Sequence, residues 1–238
     1  MTAPNAEASP VVYARVAGVA YLAITFAGVL YGSLVESRLI VSGNHAETAH
    51  NIIAHETLFR IGIVAVLLIY VSVVVASWAL YLILRTVREG LALLGLLLRL
   101  AEAIVGAATV LISFAVLSVL HGEGSSNALG PEQLQSLAGR FIDVRTAGLD
   151  VVLIFIGLGA TISCYLLFKS RYIPRPLAAW GMFTYLSMLF LALVSILFPN
   201  HPLMLETVLY SVGGTFELVL GLWLVFKGVD LERWEKYA

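Results

Sequence analysis

Three residues stand where a charge is hardest to keep. Arg99 and Glu102 lie one turn apart inside the apolar stretch 91–120, and Glu217 lies inside the apolar stretch 203–226. At ~1.5 Å per residue, Glu102 falls about 17 Å from the start of its stretch and Glu217 about 21 Å from the start of its own. Both positions are close to the middle of a bilayer, where an ionised group costs at least ~2.5 kcal/mol. One arginine and two glutamates do not balance. Either a second cation arrives or one carboxylate carries a proton, which is what proton-coupled transport or acid–base chemistry would use. The competing role is structural, an Arg–Glu pair that fixes helix register.

A second polar group maps to one rim: Glu56, Arg60, Asp143 and Asp150, together with all five histidines, His45, His50, His55, His121 and His201. Neutral imidazoles are common metal ligands, so His50 and His55 are weak metal candidates. Their five-residue step does not align them on one helix face, and His55-Glu56-Thr57 lacks the second histidine of the zinc-protease pattern. They read as solvated rim residues, and no metal is expected. No cofactor is expected either: there is no Gly-x-Ser-x-Gly elbow and no phosphate-binding glycine loop, and Gly122-Glu-Gly-Ser-Ser-Asn departs from the dinucleotide pattern. Haem ligation is disfavoured because no histidine lies within a span. A single cysteine, Cys164, excludes an intramolecular disulfide.

The elements that must position these groups follow from composition. The 238 residues are 60% hydrophobic and 12% charged, with a net charge of -1. That excludes an ordinary soluble domain and argues against nucleic acid as a partner. Six stretches are long and apolar enough to cross a bilayer: 11–35, 61–84, 91–120, 147–168, 177–198 and 203–226. The expected fold is an all-α integral membrane bundle, a single transmembrane domain over 11–226 between an N-terminal tail, 1–10, and a C-terminal tail, 227–238. The first stretch exceeds a signal-peptide core and has no Lys or Arg before Arg15, so it reads as a retained helix. Arg15, Arg85, Arg88, Lys169, Arg171, Arg175, Lys227, Arg233 and Lys236 fall on one side, against Arg38, Arg60, Arg140 and Arg145 on the other. The positive-inside rule then puts both termini in the cytoplasm of an inner-membrane protein.

Apolar periodicity extends beyond the spans. Residues 46–60 and 131–145 read as helices that run into the second and fourth spans at the outer surface. Small and polar positions mark inward faces. In the third span they are Ala92, Gly95, Arg99, Glu102, Gly106, Thr109 and Ser113; in the first, Ala14, Gly18, Tyr21, Thr25, Gly28 and Gly32. The sixth offers Tyr210, Gly214, Glu217 and Gly221, and the fourth Asp143, Ala147, Asp150, Gly157, Thr161 and Cys164. Spans three and six each place a glutamate four residues before a glycine, and Ser37-Arg38 and Ser170-Arg171 follow spans one and four. These matches fit a three-plus-three inverted repeat.

Several segments together carry a family resemblance: Ser37-Arg-Leu-Ile-Val-Ser-Gly, Asn51-Ile-Ile-Ala with Glu56 and Phe59-Arg60, Leu98-Arg99-Leu-Ala-Glu102, Phe155-Ile-Gly-Leu-Gly, Tyr165 to Arg175, and Glu217 with Leu222-Trp-Leu-Val-Phe-Lys-Gly. From about Arg15 to Gly228 the chain resembles the bacterial domain-of-unknown-function family 4386. The resemblance implies a multi-pass membrane protein, and its pattern falls on Glu56, Arg60, Arg99, Glu102 and Glu217. It leaves the activity open. The favoured reading is a non-enzymatic bundle that binds or moves a small molecule, a lipid or a proton through Arg99, Glu102 and Glu217. The alternatives are a membrane enzyme acting on an apolar or lipid substrate at the outer rim, and a structural or partner-binding subunit. Substrate and oligomeric state are left open.

Overall fold

A computed structural model describes residues 9–122, 130–198 and 203–237, with 203–210 described by backbone alone. All regular structure among them is helical. Ser9 accepts from the Val11 amide and Pro10 opens helix α1, Pro10–Leu30, the position proline tolerates best. The same rod continues as a wide π-turn, Tyr31–Glu36, and a last turn, Ser37–Leu39. Ser33 and Ser37 donate back to Val29 and Ser33 carbonyls at 2.6 and 2.7 Å, a bond type that bends helices. Helix α2, His45–Ala54, is capped by Asn44, which accepts from the Glu47 amide and donates to its carboxylate.

The periodicity of 46–60 predicts one helix running into the second span. The structure instead breaks it at His55 (φ -129°, ψ 43°), and α3, Glu56–Leu120, starts afresh at Glu56. Its 65 residues are interrupted at Arg88 (φ -164°, ψ 95°). The halves, 56–87 and 89–120, fold back on one another: a Cβ on Gly106 would strike the Tyr70 ring, and His121 reaches Glu56. Each pair is nearly equidistant in sequence from Arg88, as a hairpin requires.

Helix α4, Pro131–Ser170, is unbroken. Its 40 residues span about 60 Å, twice the thickness of a bilayer core, so the expected outer helix 131–145 and the fourth span are one rod. Helix α2 lies on its N-terminal part, where His45 Nε2 sits 3.0 Å from Asp143 Oδ2 and a Cβ on Gly139 would strike His45. Arg171, left-handed at φ 60°, ends α4, and α5, Arg175–Leu197, follows Pro174. Helix α6, Leu203–Phe226, leads through Gly228 (φ 70°) to the short α7, Leu231–Glu235. The C-terminal tail is folded onto the bundle: Val229 is buried and the Asp230 amide donates to the Tyr172 carbonyl at 3.0 Å.

The bundle is cemented by α3 on α4, α4 on α5, and α1 on both α3 and α6. Four helices, 10–39, 56–120, 131–170 and 175–197, are long and apolar enough to cross a membrane, and 211–226 is a shorter apolar helix. Large side chains such as Phe26, Val64, Ile104, Leu111, Phe183 and Phe226 are more than 60% exposed, a surface that suits lipid rather than water.

Candidate functional site

The inward stripe predicted for the third span is buried throughout, from Ala92 to Ser113. At its centre Arg99 and Glu102 are 3% and 1% exposed, with Nη1 and Oε2 2.6 Å apart. The approach is close enough for an ion pair, but its angle leaves Glu102 Oε2 without a hydrogen bond. Gly95 and Gly159 let α4 approach here: Cβ atoms on these glycines would lie 3.3 Å from Ile162 and 3.0 Å from Leu98.

Glu217 reaches the same centre from α6. Arg99 pairs with Glu102 and acts at longer range on Glu217, so one cation serves two carboxylates. The Tyr185 hydroxyl, fully buried on α5, donates to Glu217 Oε1 at 3.0 Å. Tyr21 from α1 and Cys164 from α4, both buried, lie within the field of Arg99 and Glu217. Five helices therefore converge on one polar centre.

From Glu102 a polar file runs on. The Tyr70 ring, in the first half of α3, packs on Gly106 one turn beyond Glu102, within electrostatic range of Glu102, Arg145 and Tyr31. Thr109 Oγ1 in turn donates to the Gly106 carbonyl at 2.6 Å. Arg145 Nη2 donates to the Tyr31 hydroxyl at 2.6 Å, its guanidinium lies over that ring, and Tyr31 senses Glu36, which is exposed. Arg145 Nε is buried with no hydrogen-bond partner.

The rim residues are divided differently from the predicted set. Glu56 bridges Arg60 at 2.7 Å and His121 at 3.1 Å. It precedes the apolar run that begins at residue 61, and the hydrogen bond from Arg60 is the largest of the effects holding its carboxyl below the ordinary 4.5. Asp143 pairs with His45 instead. Asp150 is half-buried on α4. His50 and His55 are exposed, no metal-holding cluster is present among the described residues, and His201 lies outside them.

Three predicted stripes need correction. On α6 the buried line is Gly213, Phe216, Leu220, Gly221 and Leu224, so Gly214 and Glu217 sit on its flank and Tyr210 lies outside the described side chains. On α1 Ala14, Gly18 and Tyr21 face inward, but Cβ atoms on Gly28 and Gly32 would meet nothing. The π-turn after Leu30 resets the helix face at Gly32, and Val35 is buried instead. On α4 Asp143 and Ala147 are exposed while Gly157 and Cys164 are buried.

Tyr185 and Tyr70 are the site residues that stripe reading missed. Each is a hydroxyl-bearing ring in an otherwise apolar run, and buried tyrosines usually find a hydrogen-bond partner; that was the available signal. Comparison with curated proteins and with solved structures finds no match. Residues 16–228 match the family described as Domain of unknown function (DUF4386). The match spans every helix that contributes to the polar centre and its file, and the chain belongs to that family.

Proposed function

We propose that this protein is a six-span, multi-pass inner-membrane protein, both termini cytoplasmic, that binds and moves a proton or a small proton-coupled solute through the centre formed by Arg99, Glu102 and Glu217. Six spans follow when the two halves of α3 are counted separately and Leu203–Phe226 crosses in full. The observation that carries the functional reading is one arginine for two carboxylates inside the bundle, the buried Glu102 2.6 Å from the guanidinium and the half-buried Glu217 held by Tyr185, at the end of a polar file. Glu102 has the guanidinium beside it, whereas Glu217 has a neutral phenol as its nearest hydrogen-bond partner. In this reading Glu102 stays ionised against Arg99 and Glu217 carries the exchangeable proton. Tyr185 orients the carboxyl, and Tyr70, Tyr31 and Arg145 line the route toward the rim that bears Glu36. A purely register-fixing pair would require neither the second carboxylate nor the file.

Dicyclohexylcarbodiimide tests this, because it adds to protonated carboxyls in apolar surroundings. Membranes treated with the reagent should yield a modified peptide containing Glu217, with much weaker modification at Glu102. Glu217→Gln should abolish the signal. Modification confined to rim carboxylates would contradict the assignment.

A further inference from the structure

We propose that the pocket between the 171–174 connector and the C-terminal end of α6 binds the phosphate group of an anionic phospholipid. This site is independent of the polar centre. The pocket measures about 480 Å³ and draws Arg171, Arg175, Lys227 and Arg233 together around one acid, Asp230, an excess of three positive charges (four cations less one carboxylate). Asp230 is already engaged by Arg233 at 3.0 Å. Arg175 lies 5.2 Å over the Phe168 ring, an arrangement that holds a guanidinium plane in place while leaving N–H groups to donate. Helix α5 begins at the pocket with no side-chain cap, so its positive end adds to the same potential.

The walls are fixed before any ligand arrives. The connector and the tail are tied by the Asp230 amide on the Tyr172 carbonyl, and Tyr172 is anchored through its hydroxyl, 3.0 Å from Thr86 Oγ1. Arg171 and Gly228 take left-handed turns at φ 60° and 70° that bring the two segments round the pocket.

A lipid fits better than a free anion because of what adjoins the charge. Trp223 lines the pocket, and Leu222 and Phe226, 41% and 76% exposed, stand beside it on α6. Tryptophan at a helix end marks the membrane interface, and apolar side chains below a basic pocket offer acyl chains a surface while the headgroup meets the cations. Basic pockets at the ends of membrane helices have this character.

Native mass spectrometry of the full chain in mixed micelles of phosphatidylglycerol and phosphatidylcholine tests the proposal. The wild type should retain phosphatidylglycerol preferentially, and Lys227→Gln with Arg233→Gln should lower that retention about fivefold per lost cation. Lys227→Arg, which keeps the charge, should retain it and controls for folding. Equal retention of the two lipids, or a double variant indistinguishable from the wild type, would overturn the proposal. Adding inorganic phosphate separates the two sources: failure to displace the lipid supports a lipid site, and full displacement at equimolar phosphate overturns the lipid in favour of a soluble anion.

Discussion

Replacing Arg99 by leucine is expected to destabilise the folded bundle by about 3–5 kcal/mol, the cost of leaving a buried charge without its partner. Glu102 would remain 1% exposed with no cation beside it, and the residual field of Arg99 on Glu217 would vanish as well. The double variant Arg99→Leu with Glu102→Leu should recover most of the loss, because removing both partners of a buried pair is often neutral. Equilibrium unfolding in mixed micelles titrated with dodecyl sulfate measures both. If the single and double variants lose the same stability, the pair is not coupled as the 2.6 Å approach implies.

The second large effect is steric. A Cβ on Gly18 would sit 2.8 Å from the Gly221 carbonyl oxygen and the Val225 amide nitrogen, so α1 meets α6 backbone to backbone and nothing flexible can yield. Gly18→Val should cost about 1–3 kcal/mol or more through overpacking. Gly28→Ala, where the added carbon meets nothing within 4 Å, should stay within about 0.5 kcal/mol of the wild type. Measured in the same micelle titration, equal losses at the two positions would show that α1 packs in a different register.

Much of this architecture was legible in the residues. The third-span stripe was readable because its helix is regular from Ala92 to Ser113, so the three-and-four spacing maps directly onto one face. The same rule failed beyond Leu30 because a π-turn rotates the following residues, a change that spacing alone does not encode. On α6 Gly214 and Glu217 mark a flank rather than the centre, since Phe216, Leu220 and Leu224, large and apolar, occupy the buried line with Gly221. Small residues mark close helix approach only where a partner helix is opposite. The break at His55 followed no proline or glycine and had no compositional signal. Arg99, Glu102 and Glu217 are legible from depth and charge alone, but Tyr70 and Tyr185 are not, because tyrosine counts as apolar in a span and its hydroxyl acquires meaning only from the neighbour it meets.

Proton movement through reconstituted vesicles tests the central claim most directly. Vesicles enclosing a pH-sensitive dye and carrying the wild-type chain should dissipate an imposed pH gradient faster than empty vesicles. Glu217→Gln should return the rate to the empty-vesicle level, and Tyr70→Phe should slow it while leaving the protein folded. A wild-type rate equal to that of empty vesicles, or a Glu217→Gln variant as fast as the wild type, would contradict a proton-moving centre built on Arg99, Glu102 and Glu217.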